Sequence, residues 1–179
     1  MLLHQYKIVF GGAMGAGKSS AIQCLSDIPV FSTEVLNTDL NAHQKELTTV
    51  GIDYGEISLD EDTKIGLYGT PGQERFDFMW PLLCKGAIGS IVLIDHSSHS
   101  AVMALEFYVN KFKSYTDNIV IGVTHVDENA AISADVYQQW LFKNKLQLPL
   151  FFVDARDKKD ILLMVETLVS VLEVKTDLN

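Results

Sequence analysis

One eight-residue run constrains this chain more than any other feature: Gly12-Ala13-Met14-Gly15-Ala16-Gly17-Lys18-Ser19. It satisfies the pattern G-x-x-x-x-G-K-[ST] in full. An apolar run over residues 6–10 precedes it, and a helical pattern over residues 20–25 follows. A strand-to-helix turn of this composition has a definite chemical use. Its glycines let the backbone bend so that successive N–H groups converge on phosphate oxygens. The helix start adds the positive end of its dipole at the same place. Lys18 supplies a full charge for terminal phosphates, and the Ser19 hydroxyl is a ligand for Mg²⁺. Gly12, Met14, Gly15, Ala16, Gly17, Lys18, Ser19 and Ser20 are thus the candidate phosphate-side residues.

The remaining pattern alternates strands with helices. Residues 52–59 alternate apolar and polar in the manner of a half-exposed strand, and residues 63–68 follow after the acidic turn Asp60-Glu61-Asp62. Residues 90–94, 118–122 and 150–153 are continuous apolar runs, which suit strands covered on both faces. Between them, Ala101, Val102, Leu105, Tyr108, Val109 and Phe112 recur at helical spacing, as do Ile161, Leu162, Val165, Leu168, Val169 and Leu172. A shorter helix around Val136, Trp140 and Leu141 follows Ser133 as its cap. The alternation predicts one α/β domain over residues 1–179: a doubly wound, mostly parallel six-stranded sheet with helices on both faces and one antiparallel pair near its start. Residues 28–50 form a long irregular stretch, expected to be a functional or mobile loop.

Charge and composition exclude whole classes of partner. Fourteen Lys and Arg stand against twenty-three Asp and Glu, a formal net charge of -9. Such a balance argues against a nucleic-acid surface and against adsorption to an anionic leaflet. Two cysteines, Cys24 and Cys84, cannot build a disulfide framework and read as reduced thiols. The chain shows no secretion signal, no apolar span of membrane length and no lipidation motif, so a cytoplasmic location without direct membrane insertion is expected.

A second constellation lies directly after a strand: Leu67-Tyr68-Gly69-Thr70-Pro71-Gly72-Gln73-Glu74-Arg75-Phe76. Further elements are Thr48-Thr49-Val50-Gly51-Ile52-Asp53-Tyr54, then Thr124-His125-Val126-Asp127 after an apolar strand, and Asp154-Ala155-Arg156 after the last strand. With these four ordered motifs the chain resembles the Ras-like small GTPases of the P-loop NTPase fold. The stretch at Thr49 is similar to the Rab pattern T-I-G-V-D-F. The resemblance implies that Gly72 lends its N–H to the γ-phosphate and that Gln73 orients the hydrolytic water. It implies that Thr49 joins Ser19 on Mg²⁺ and senses the γ-phosphate. Thr124, His125 and Asp127 stand in the place of N-K-x-D, with the Asp127 carboxylate accepting two guanine N–H groups. Asp154, Ala155 and Arg156 stand where the family has S-A-K, so the Ala155 N–H would meet the guanine carbonyl. A closer likeness, through Met79-Trp80, Gly86-Ala87-Ile88-Gly89 and Asp154-Ala155-Arg156-Asp157, is to bacterial Ras-like proteins encoded beside roadblock-domain partners. These include conservon ATP/GTP-binding proteins and, more distantly, the gliding-motility polarity GTPase.

Several residues depart from that pattern. Gly69 occupies the position of an aspartate that holds Mg²⁺ through water, and a glycine cannot do so. Asp53 or Asp95 is a substitute in chemistry, but nothing in the sequence positions either. Thr124 replaces an asparagine that ties its loop to the phosphate loop, and His125 replaces a lysine whose stem covers the base. Met14 either obstructs the approach of a water or a partner's arginine, or simply packs against the long loop. The only arginines are Arg75 and Arg156, so no built-in arginine finger is expected and unassisted hydrolysis should be slow. His96 and His99 lack the companions of a zinc site. The apolar run Phe76, Phe78, Met79, Trp80, Pro81, Leu82 divides between core and a patch exposed with nucleotide state.

The expected function is a slow GTPase switch, binding GTP or GDP with Mg²⁺ and a roadblock-type protein or another GAP or effector, in bacterial signalling or polarity. The alternatives are a non-hydrolysing nucleotide-binding interaction protein, a P-loop kinase, disfavoured by the scarcity of arginine, and simple ATP binding.

Overall fold

The computed structural model describes residues 4–33, 51–126 and 133–177. Strand β1 (His4–Gly11) leads through the glycine loop into helix α1 (Lys18–Leu25), and a three-residue strand β2 (Phe31–Thr33) follows. Strands β3 (Ile52–Ser58) and β4 (Thr63–Gly69) form a hairpin, succeeded by a 3-10 turn (Glu74–Met79) and the short helix α2 (Trp80–Cys84). The chain then alternates through β5 (Gly89–Asp95), α3 (Ala101–Lys113), β6 (Ile119–Thr124), α4 (Asp135–Lys143), β7 (Leu150–Phe152) and α5 (Lys158–Asp177).

The strands lie in the order β2-β3-β4-β1-β5-β6-β7. From β4 to β7 every pairing is parallel, while β2–β3 and β3–β4 are antiparallel. Among the described residues the sheet therefore has seven strands rather than six, and two antiparallel pairs rather than one. The added strand is β2, in the stretch taken as irregular: three residues are too few for alternation to register in the sequence. Residues 34–50, the rest of that stretch, lie outside the described residues.

The period of two along each strand sends neighbours to opposite layers. Ile8 and Phe10 of β1 enter the layer closed by Ala21, Ile22 and Leu25 of α1 and by Ile161, Met164, Val165 and Leu168 of α5. Val9 enters the other, built from Trp80 of α2, Leu105, Tyr108, Val109 and Phe112 of α3, and Tyr137, Trp140 and Leu141 of α4. Burying apolar surface on both faces at about 25 cal/mol per Å² is the main force holding the sheet. The continuous apolar runs of β5 and β6 are buried throughout except at Asp95. The run at β7 is not: β7 is an edge strand and Phe152 is 42% exposed.

The apolar run after Gln73 does divide. Trp80 is fully buried, with its ring 5.4 Å from that of Phe112 and 5.5 Å from that of Tyr108. Phe76 is buried too, whereas Phe78 and Leu82 are each 70% exposed. No helix among the described residues is long and apolar enough to cross a membrane.

Candidate functional site

The parallel strands β1, β5 and β6 all end on one side of the sheet, and the loops that leave them meet there. Gly12, Gly15 and Gly17 adopt φ of 138°, 83° and 100°, a region that favours glycine. At Gly17 the reason is also steric, because a Cβ would stand 2.7 Å from the Ala155 Cβ. The third glycine is thus where the phosphate loop and the loop after β7 touch. Ala16 is fully buried beneath this turn, while Met14 projects outward, 73% exposed.

Lys18 opens α1 and is only 8% exposed. Its Nζ donates to the carbonyls of Gly12 at 2.8 Å and Ala13 at 2.7 Å, so the ammonium closes the loop from inside. Burial pushes this ammonium down to about 8, opposed by the nearby Asp53 carboxylate. The Ser19 hydroxyl donates to Asp53 Oδ2, and Ser32 of β2 donates to Asp53 Oδ1.

Opposite the loop, Thr70 leaves β4 with its N–H and hydroxyl both donating to the Phe10 carbonyl, at 2.9 and 3.0 Å. That anchor delivers Gly72 onto the phosphate loop, where a Cβ would stand 2.5 Å from the Met14 nitrogen. The Tyr108 hydroxyl donates to the Gly72 carbonyl at 3.4 Å. Gln73 Oε1 accepts from Arg75 Nε at 2.8 Å, and the Arg75 guanidinium lies 4.9 Å from the Phe76 ring centroid. Between these walls is a cavity of about 200 Å³ lined by Met14, Gly15, Lys18, Ser19, Asp53 and Gln73, among others.

A second cavity of about 480 Å³ shares Gly15 with the first. Gly17, Ser20, His125, Phe152, Ala155 and Arg156 contribute to its walls. Thr124 is 1% exposed, and its Oγ1 donates to the carbonyl of Ala16 at 3.0 Å, with the Ile94 carbonyl at 3.3 Å. The tie to the phosphate loop that the threonine put in question is therefore present. His125 adopts φ of 54° and brings Nε2 to 3.1 Å from the Gly15 carbonyl. A carbonyl only accepts, so Nε2 carries the proton in that bond. Arg156 folds back on Asp154, Nε to Oδ1 at 2.9 Å and Nη2 to Oδ2 at 2.8 Å, which holds the Asp154 carboxyl down to about 2.

The phosphate-side residues, Gly72 with Gln73, and the group Thr124, His125, Asp154, Ala155 and Arg156 are brought around these two adjoining cavities. Thr49 and Asp127, proposed for Mg²⁺ and for the base, lie outside the described residues. Ser32, Tyr108, Val126 and Phe152 were not singled out from the sequence. Val126 carried a signal as a member of the Thr124–Asp127 motif, and so did Phe152, an aromatic residue at the end of the strand preceding a candidate base loop. His96 and His99 lie in the turn between β5 and α3, where His96 is 3% exposed with its Nδ1 2.7 Å from the Tyr137 hydroxyl.

The mostly parallel sheet with helices on both faces, and the glycine loop between β1 and α1, define a Ras-like P-loop protein of the α/β class. Residues 30–174 match the family described as conserved hypothetical ATP binding proteins, and the chain belongs to that family. It is also 26% identical over 120 residues to the Ras-related protein RABA1c of Arabidopsis thaliana, covering 65% of this chain and 50% of that one. It is 30% identical over 119 residues to the Ras-related protein Rab-18 of Caenorhabditis briggsae, covering 64% and 53%. An uncharacterized protein of Methanocaldococcus jannaschii is 32% identical over 93 residues, covering 52% and 53%. The chain spans about half the length of the curated relatives it matches.

Proposed function

We propose that this protein is a GTP-binding, slowly hydrolysing switch whose affinity for a protein partner changes with nucleotide state. The observation that carries the reading is the junction of the two cavities at Gly15. The smaller is walled by Lys18, Ser19, Gly72 and Gln73, groups suited to a polyphosphate. The larger is walled by Thr124, His125, Phe152 and Ala155, groups suited to a flat base.

In this reading Ser19 and Thr49 would hold Mg²⁺, which would supply positive charge to the phosphates. Lys18 exchanges its two loop carbonyls for phosphate oxygens. The Gly72 amide meets the γ-phosphate, and Asp127 with the Ala155 amide selects guanine. Loss of the γ-phosphate removes the contacts that hold the Gly72 and Thr49 segments. Partner affinity can change only by the free energy of those contacts. Slow unassisted turnover follows from two arrangements: Arg75 occupies Gln73 Oε1, and Arg156 is paired with Asp154. Exposed Phe78 and Leu82, next to the Gly72 segment, offer apolar surface to a partner. A roadblock-type protein or another GAP or effector, in bacterial signalling or polarity, is the partner class proposed.

The family description favours ATP as a second reading. Mass spectrometry of the co-purifying nucleotide, followed by competition between GTP and ATP, separates the two. Guanine preference that Asp127→Ala abolishes supports the first; an adenine preference overturns it. Single-turnover hydrolysis with and without partner separates a switch from a protein that only binds nucleotide.

A further inference from the structure

We infer that Asp53 is the carboxylate that positions Mg²⁺ in this protein, supplied from β3 because β4 has none to give. The inference rests on the nucleotide-binding reading above and adds a residue to it. The β3–β4 ladder places Asp53 directly opposite Gly69. Residues facing each other across an antiparallel pair project to the same side with neighbouring Cβ atoms. Gly69 has no side chain, and a Cβ built there would lie 3.3 Å from Asp53 Cβ and 3.4 Å from Asp53 Oδ2. The Asp53 carboxylate therefore lies over the spot from which a side chain at position 69 would start. One strand lacks the acid, and its neighbour holds one in the adjoining space.

The chemistry around Asp53 fits a hard cation. Asp53 is only 9% exposed and lines the cavity shared by Lys18 and Ser19. Among the described residues it enters no ion pair; its oxygens accept hydroxyl hydrogens from Ser19 and Ser32. A buried carboxylate hydrogen-bonded only by neutral hydroxyls, with the Lys18 ammonium nearby but not paired to it, favours a further cation, since its desolvation is otherwise offset only in part. The Ser19 bond also has the right polarity. With its hydrogen given to Asp53, the Ser19 oxygen keeps its lone pairs for a metal and becomes a better donor to it. Mg²⁺ is commonly held by one or two carboxylates, retained waters and substrate phosphates, which one aspartate beside one serine satisfies. Asp95, the other acid considered, is occupied elsewhere: its Oδ1 accepts from the Ser97 N–H at 2.9 Å and the Ser97 hydroxyl at 2.6 Å.

The test measures release of a fluorescent analogue of the co-purifying nucleoside diphosphate across a Mg²⁺ titration, with EDTA as the zero point. In the unmodified protein Mg²⁺ slows release, and Asp53→Asn should raise the Mg²⁺ concentration for half-maximal slowing by about 10- to 100-fold. An unchanged midpoint overturns the assignment, as does an unmodified protein indifferent to Mg²⁺. A protein that retains no nucleotide under any condition overturns the proposed function instead. The paired exchange Asp53→Gly with Gly69→Asp returns a carboxylate to the same space from the other strand. Recovery of the unmodified midpoint supports the inference even where Asp53→Asn folds poorly. An exchanged protein that holds nucleotide in EDTA but keeps the raised midpoint refutes it.

Discussion

Thr124 Oγ1 donates to the Ala16 carbonyl at 3.0 Å, a bond across 108 positions that fastens the end of β6 to the phosphate loop. Both partners are buried, Ala16 at 0% and Thr124 at 1% exposure. Thr124→Val preserves shape but strands the Ala16 carbonyl, which should cost about 1–3 kcal/mol. At roughly 2–4 °C per kcal/mol for a chain this size, the melting temperature should fall measurably. Thr124→Ser retains the donor and should melt close to the unmodified protein. A loss in Thr124→Ser with none in Thr124→Val would show that the methyl group, and not the hydroxyl, matters here.

Gly72 approaches the Met14 backbone more closely than any residue with a side chain can, since a Cβ would lie 2.5 Å from a main-chain nitrogen. Gly72→Ala must push the segment off the phosphate loop and, in the reading proposed above, carry its amide away from the γ-phosphate. Loss of one preorganised donor to a reacting centre costs about 10²- to 10³-fold in rate. Partner-stimulated GTP hydrolysis should fall by about that amount, followed as phosphate release. Turnover equal to the unmodified protein would remove the Gly72 amide from the mechanism.

The Gln73 carboxamide oxygen accepts from Arg75 Nε at 2.8 Å, which takes one of its two acceptor positions and fixes the orientation of the amide. Arg75→Ala should therefore raise unassisted hydrolysis by about 2- to 10-fold, the equivalent of the 0.5–1.5 kcal/mol of one net hydrogen bond. Gln73→Leu should instead depress stimulated hydrolysis, by about 10²- to 10³-fold for the loss of one preorganised hydrogen-bonding group at the reacting centre. Single-turnover assays of both variants are decisive. Faster turnover in Gln73→Leu would assign the glutamine an inhibitory role.

Elements whose burial follows from local pattern were legible in the sequence. Leu105, Tyr108, Val109 and Phe112 recur at helical spacing and are all buried on α3, because one helix face meets one sheet layer. The uninterrupted apolar runs of β5 and β6 are likewise central strands. The same kind of run misled at β7, since apolarity does not distinguish a central strand from an edge where a cavity leaves Phe152 in the open. Strand β2 was illegible because three residues carry no period, and its existence depends on the edge that β3 offers. Glycines and Lys18 announced the phosphate loop by residue type alone. The pairing of Asp53 with Ser19 did not, because it depends on the register of β3 against β4 and on where α1 begins. Thr124 looked like a loss of the loop tie until its hydroxyl was placed against the Ala16 carbonyl.

Lys18 should impose opposite pH dependences on nucleotide affinity and on the stability of the nucleotide-free protein. Burial holds its ammonium at about 8, well below the ordinary 10.5. Between those values the unfolded chain binds a proton that the folded one has released, so stability rises with pH across that window. Below about 8 both states are charged, and the burial cost is carried in full. Phosphate oxygens favour the charged form, so nucleotide binding above about 8 must take up a proton. Affinity should be flat below that point and fall by up to about tenfold per pH unit above it. Lys18→Met removes both effects, so the difference between the variant and the unmodified protein isolates this group from other lysines and tyrosines. Melting of the nucleotide-free proteins and titration with a fluorescent diphosphate, each from pH 7 to pH 10, test the two slopes. Slopes of the same sign, or an unchanged pair in Lys18→Met, would mean that the ammonium does not reach the phosphates.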